Sequence, residues 1–342
     1  MFQAPEATVV IPTKDRWDLV STAALPSALA QEDVALEVIV VDDGSRDPPP
    51  YAMAFLHEGR VRVLRHERPL GVASARNAGI REARGDWVAF LDDDDVWSPR
   101  KLRLQIDAAS AAGATFAYGG AAAVAEDGSW LYSLPAVEPH RLVRALLRRN
   151  MLWGGSSNVV AHTAALRALE GFDERLFQIC DWDLWIRLAL TEVAVAVEEV
   201  VVGCRVHDRS MLLVSEGDVF EEFGYLCAKH AATSAEYGVQ PDRRIFTRWV
   251  ASGHRRAGRR LASARTYVRG VVRDGDATSL ARAAVALVGR TPDPYASPRR
   301  LVARDGAEGG VSRAPDWLAR YRDGPALSIA HATSKTSSPT ES

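Results

Sequence analysis

Residues 87 to 95 read Trp-Val-Ala-Phe-Leu-Asp-Asp-Asp-Asp, a short apolar run that stops in four consecutive carboxylates. The run suits a buried strand and is too short for a buried helix. Adjacent aspartates at a strand end repel one another, so a positive partner belongs there, and a divalent cation bridging phosphate oxygens supplies one. Just upstream come a glycine-led turn at Gly71 and a helix over roughly Ala73 to Ala83, which carries Arg76 and Asn77.

The preceding chain repeats the theme. Thr8 to Ile11 is an apolar, β-branched run closed by Pro12, and Val38 to Val41 runs directly into Asp42-Asp43-Gly44-Ser45. A helical pattern from Trp17 to Gln31, interrupted by Pro26, separates the two. Pro48 to Pro50 mark a loop, Ala52 to Leu56 a short helix, and Val61 to Leu64 a third strand. Strands alternating with helices at this spacing predict a mostly parallel sheet flanked by helices on both faces. Ligands of such sheets bind beyond the carboxyl ends of the strands, where Thr13, Asp43 and Asp92 all fall.

Further on, Ala114 to Tyr118 and Ala121 to Ala125 are strand-like, Pro139 to Arg149 is a basic amphipathic helix, and Ser156 to Ala161 is strand-like. A Trp-rich helix beginning near Asp181 precedes the β-prone run Val193 to Val202, which leads to Arg205-Val206-His207. Val219 to Ala235 and Ile245 to Val272 are helical. The second presents Leu261, Ala264, Val268 and Val271 on one face, with arginines largely elsewhere. After Arg290 the composition predicts a disordered tail.

A formal net charge of -2 speaks against nucleic acid as a partner. Three widely spaced cysteines, without a C-x-x-C pair, favour a reducing compartment over a disulfide framework. No apolar run approaches the ~18 residues of a membrane span, and the N-terminus lacks a signal-peptide pattern. A cytoplasmic protein is expected; the arginine-rich helix near 255 to 265 reads first as a solvated face and alternatively as a peripheral contact to an anionic membrane surface.

Each motif also has an ordinary reading. The aspartate run could be a solvated loop, Asp42-Asp43-Gly44 a turn, Asp181 a carboxylate favoured by a helix N-terminus, and Trp182 and Trp185 core. An apolar strand followed by D-x-D-x-V also formally matches the nucleophile motif of haloacid-dehalogenase-type phosphatases. There, however, the motif ends the first strand, and here three strand candidates precede it.

Taken together, VVIPTKDR, VVDDGS, GVASARNAGIREARGDWVAFLDDDDVW, GFDERLF-QICDWDLWIRLA and CRVH resemble, in order, the motifs of family 2 glycosyltransferases, inverting enzymes of the Rossmann-like GT-A fold. The resemblance implies a nucleotide-sugar donor, most often a UDP-sugar, a divalent metal (Mg²⁺ or Mn²⁺), and a glycan, lipid-linked or small-molecule acceptor. It places Pro12, Thr13, Arg16, Asp43, Arg76, Asp92 and Asp93 on the donor. It places Asp92, Asp94 and His207 at the metal, Asp181 as general base, and Trp153 to Asn158 in part of the acceptor pocket. Two residues depart from the pattern: Cys180 stands where Glu usually precedes the base, and Lys14 where an aromatic often stacks on the nucleotide base. The implied organisation is a GT-A domain over 1–214, a helical extension over 215–290, and a mostly disordered tail over 291–342. A protein that binds a nucleotide sugar without transferring it is a further alternative.

Overall fold

The computed structural model describes residues 4–47, 59–125, 127–206, 218–288 and 314–321. His207, the Pro48–Pro50 loop, the Ala52–Leu56 helix and most of the expected tail lie outside these residues.

Strand β1 (Ala7–Thr13) is fully buried and pairs in parallel with β2 (Leu36–Asp42) and β4 (Trp87–Phe90); β3 (Val61–Arg65) extends this parallel set beyond β2. Because side chains alternate across a strand, Val9 and Ile11 enter one apolar cluster and Val10 the other, so both faces are covered. Pro12 stays within β1, although proline cannot donate to a ladder. The pairing of β1 with β4 ends at Val10 and Phe90, so Pro12 has a strand neighbour on only one side.

The other half of the sheet departs from the parallel expectation. Its order runs β3-β2-β1-β4-β8-β6-β9-β5, with β7 on β6. Here β5 is Val96–Trp97, β6 Phe116–Val124, β7 Trp130–Leu134, β8 Val160–His162 and β9 Ala194–Arg205. The β4–β8, β8–β6, β6–β7 and β5–β9 pairings are antiparallel, while β6–β9 is parallel. The two runs expected around Gly119-Gly120 form one strand, β6. A Cβ on Gly119 would lie 2.8 Å from Val197 and Val201, so the glycine allows β9 to cross closely.

In chain order the helices are α1 (Trp17–Leu19), α2 (Leu25–Leu29), α3 (Val72–Glu82), α4 (Lys101–Ala112), α5 (Leu142–Arg148), α6 (Thr163–Ala168) and α7 (Cys180–Thr191). The C-terminal region supplies α8 (Val219–Lys229), α9 (Ala231–Glu236), α10 (Arg243–Arg256), α11 (Arg260–Asp274) and α12 (Thr278–Val288). Between α1 and α2 the chain widens into a π-helical turn, Val20–Ala24, which carries the helical path to Pro26. The single helix expected over Ile245 to Val272 breaks near Gly258, whose φ of +69° favours glycine.

The extension is not a separate body. Trp182 of α7 packs against Phe223 of α8 and Phe246 of α10, with ring centroids 5.8 and 6.3 Å away, and its indole N–H donates to Leu146 O. Trp182 and Trp185 are therefore core residues. Within the expected tail, Asp316–Tyr321 forms a 3₁₀ turn docked on the sheet: Leu318 is buried, Trp317 Nε1 donates to Val200 O, and Tyr321 Oη to Trp97 O.

Candidate active site

The carboxyl ends of β1, β2 and β4 bring Thr13, Asp43 and Asp92 to one edge, as their parallel register requires. A tight turn, with Asp95 N donating to Asp92 O at 3.1 Å, divides the aspartate run. Asp92 and Asp94 keep 32% and 15% of their side-chain surface exposed, whereas Asp93 keeps 1%. Asp93 accepts from Thr13 Oγ1 at 2.8 Å and from Arg16 Nε at 3.1 Å, and forms an ion pair with the same guanidinium. Burial pushes its pKa up, Asp94 adds to the push, and Arg16 opposes it. Asp95 is also buried, accepts from Arg205 N, and is raised by burial. The inner pair thus braces the loop, while the outer pair stays partly exposed, Asp94 pairing with Arg16 at 3.1 Å.

Asp43 is largely engaged by its own chain. One carboxylate oxygen accepts from His66 Nδ1 and Leu70 N at 2.8 and 2.9 Å, the other from Gly71 N at 2.8 Å. The carboxylate therefore fixes the turn that launches α3. Gly71 takes a φ of +99° there, and a Cβ on it would strike Phe177 at 2.6 Å. Asn77 of α3 bonds Phe172 through both backbone groups, at 2.8 and 2.9 Å, and so ties α3 to the loop before α7.

Arg76 joins the two halves of the site. Its side chain is buried, one terminal nitrogen donates to Asp92 Oδ1 at 2.6 Å, the other to Cys180 Sγ at 3.5 Å, and its guanidinium lies over the Phe172 ring. Burial acts to discharge the guanidinium, but the neighbouring Asp92 holds it firmly protonated. Burial pushes the Cys180 thiol up to about 12, so it stays neutral.

Asp181 is half-buried on the first turn of α7. Oδ1 accepts from Trp182 N at 2.7 Å and Oδ2 from Asn150 Nδ2 at 3.4 Å. Gly155 leaves room for it: a Cβ there would sit 2.8 Å from Oδ2. Burial raises the pKa of Asp181, partly offset by Arg76. A carboxylate so poised can accept a proton better than an ordinary one.

The Trp153–Asn158 segment divides its work. Ser157 Oγ accepts from Asp92 N at 3.0 Å, and Asn158 exchanges two bonds with the Gly119 backbone, so these side chains brace strands. Trp153 and Gly155 line open space and Asp181.

Three supports were not foreseen. Glu222, on the first turn of α8, accepts from the backbone N–H groups of Phe177, Gln178 and Ile179 at 3.0, 2.8 and 3.3 Å, holding the loop that delivers Cys180 and Asp181. Two residues further along α7, buried Asp183 binds Arg187, Lys229 and His230 at 2.8 to 2.9 Å. Asn150 is the third. Each pairs with groups 31 to 47 residues away, which no local pattern announces.

Among the described residues no group of three or more His, Cys, Asp or Glu side chains is arranged to hold a metal. Two partly exposed carboxylates do fit Mg²⁺ or Mn²⁺ of the kind that takes one or two protein oxygens and completes its shell with phosphate oxygens and water. The donor set suits a cation arriving with a diphosphate.

Residues 8–175 match the family model for glycosyl transferase family 2. Succinoglycan biosynthesis protein ExoO of Rhizobium meliloti (strain 1021) is 39% identical over 160 residues, 46% of this chain and 46% of that one. UDP-Glc:alpha-D-GlcNAc-diphosphoundecaprenol beta-1,3-glucosyltransferase WfgD of Escherichia coli is 32% identical over 112 residues, 33% of this chain and 44% of that one. The matched stretch thus spans less than half the length of either relative. S. aureus TarS 1-349, solved in complex with UDP-GlcNAc, shares the fold: TM-score 0.53 at 16% identity, over 87% of this chain and 83% of that one. None of these matches favours the dehalogenase-type alternative. With its strand-end aspartates on a GT-A sheet and this match over residues 8–175, the chain belongs to glycosyl transferase family 2.

Proposed function

We propose that this protein is an inverting, metal-dependent glycosyltransferase that moves a sugar from a nucleotide-diphosphate sugar to an acceptor hydroxyl. The observation that carries the reading is Arg76, which contacts both Asp92 and the start of the Asp181 helix and so makes one site of the two carboxylates. The donor would lie along Pro12 to Arg16, Asp43 and the aspartate run. UDP is the favoured nucleotide, since WfgD is named for UDP-Glc. Asp92 and Asp94 would hold Mg²⁺ or Mn²⁺, which when bound neutralises the diphosphate. Arg76 and Arg16 add fixed positive charge beside the leaving group.

Asp181 removes the proton of the acceptor hydroxyl. The oxygen then attacks the anomeric carbon opposite the diphosphate, and the broken C–O pair leaves with the nucleoside diphosphate. Cys180, being neutral, leaves Asp92 as the carboxylate that Arg76 contacts directly.

The acceptor is a glycan or lipid-linked sugar; WfgD is named for a diphosphoundecaprenol-linked one. Among the described residues no helix is long and apolar enough to cross a membrane. Peripheral contact with the inner membrane surface would use Leu261, Val268 and Val272, exposed along one face of α11, and Leu280 and Leu287 of α12. Exposed Arg256, Arg259, Arg260 and Arg265 surround them, a pairing suited to anionic lipid.

A nucleotide-sugar panel scored by thermal shift with and without Mn²⁺ tests the reading. A metal-dependent shift with one sugar nucleotide, followed by release of its nucleoside diphosphate on turnover, is expected. Phosphate release from simple phosphomonoesters, with no response to any sugar nucleotide, would overturn it. Binding without turnover across a broad acceptor panel would favour the non-catalytic alternative.

A further inference from the structure

Beside the segment that carries Asn150 lies an open groove of about 1180 Å³. Arg141, Arg144 and Arg148 stand on the α5 side, Arg243, Arg244 and Arg273 on the α10 and α11 side, and Arg149 lies between them. Only Glu138, Asp242 and Asp274 oppose these seven arginines. A concentration of positive charge on a chain of net charge -2 is a local specialisation. The carboxylates cancel it only in part. Asp242 meets Arg148 at 3.6 Å, and the Asp274 carboxylate accepts from Thr247. Exposed Arg141 and Arg273 make no ion pair among the described residues. Between the arginines the lining is apolar, with Pro135, Val137, Met151 and Trp153.

The groove also adjoins the site through one short stretch of chain. Arg149, Met151 and Trp153 line it, while Asn150 and Gly155 meet Asp181 and Ser157 accepts from Asp92 N. Whatever occupies the groove lies next to the loop that holds both carboxylates.

We infer that this groove is the acceptor channel and that the acceptor it takes carries a phosphate or diphosphate ester, gripped by the facing arginines while its apolar part lies along Pro135, Val137 and Trp153. The inference rests on the proposed role of Asp181 but makes a separate claim. Guanidinium groups on two walls can clasp a multiply charged phosphate from both sides, which a neutral glycan would not require.

The test is calorimetric titration of the full chain with geranyl diphosphate, pyrophosphate and geraniol in EDTA, which removes metal-assisted binding at the donor site. Wild type should bind geranyl diphosphate and not geraniol. The pairs Arg141→Glu with Arg273→Glu, and Arg141→Gln with Arg273→Gln should the charge reversal disturb the fold, should weaken it about tenfold or more. Both should leave Mn²⁺-dependent UDP affinity unchanged. Pyrophosphate binding as tightly as geranyl diphosphate, and falling equally in the variants, assigns recognition to the anion, as on a phosphate-bearing glycan. Tighter geranyl diphosphate assigns it to a lipid-borne head. Equal affinity in wild type and both variants, or no binding by wild type, overturns the inference. Failure of UDP to bind wild type would instead overturn the donor reading and leave the groove standing.

Discussion

The two sides of this site are positioned by different physics. On the side proposed for the donor, Thr13, Asp43 and Asp92 end parallel strands, and the β1–β2 and β1–β4 registers fix their relative heights to within a residue. On the other side Asp181 begins a helix that no ladder holds. Its place comes from Asn150, from Glu222 on the loop before it, and from Asp183 clasped by Lys229 and His230. A ladder tolerates the loss of one side chain, whereas a position set by single polar contacts does not. Mutations on the two sides should therefore fail in different ways.

The sharpest break comes from Asp181→Asn. Transfer should fall by about 10²–10⁴-fold while metal-dependent donor affinity holds, and full transfer by this variant would remove the base assignment. As the proposed base, the same residue should set a pH dependence. Burial raises its pKa, and only the deprotonated form accepts the acceptor proton, so activity should decline on acidification at a pH above the ordinary carboxylate range. An acid limb at or below that range would contradict the environment described for it.

Asp183→Asn attacks the support. Leaving Arg187, Lys229 and His230 without their carboxylate should cost roughly 3–5 kcal/mol in denaturant unfolding. The hydrogen bonds and cations around Asp183 hold its native pKa down at about 2. Its stabilisation is thus present above the unfolded carboxylate range and is lost as pH falls through about 2. A variant as stable as wild type at neutral pH would show that the clasp is dispensable.

Asp94→Ala should weaken Mn²⁺-dependent donor binding by about 10–100-fold and change unfolding little, because Asp93 still holds the Arg16 guanidinium that Asp94 shares. Unchanged calorimetric affinity with metal present would count against a metal role. The smallest effect is expected from Glu222→Gln. It weakens three bonds to a loop without touching substrate, so kcat should drop about tenfold with donor KM constant. A change in donor KM instead would mean that the two sides are less separate than their construction suggests.

The strand-end positions were legible because their signals are local. An apolar run that ends in Asp announces both a strand and what stands at its tip, and two such runs place the tips together. Local reading also had a limit there: that Asp93 turns inward to Thr13 and Arg16 depends on the β-turn geometry after β4, and that Asp43 is used by Leu70 and Gly71 depends on a loop folding back 27 residues later. The mixed second half of the sheet was missed because pairing direction is set by how chain segments return, which β-propensity does not encode. Glu222 looked like any carboxylate favoured in a first helical turn. Its partners lie 43 to 45 residues back, and the packing of Phe223 and Phe246 on Trp182, with the Lys229–Asp183 ion pair, brings α8 to them.

Glu222 also bears on how such a chain could be recombined. The family match ends at residue 175, before Asp181, and the carboxylate that holds the Asp181 loop comes from α8, later still. The residues proposed for donor recognition and for proton removal lie on successive lengths of chain that share one core and one sheet. A chimera joining residues 8–175 to a foreign C-terminal half would also have to supply a strand in place of β9 and a core helix in place of α7. The incoming half would need its own carboxylate to grip the amides of residues 177–179.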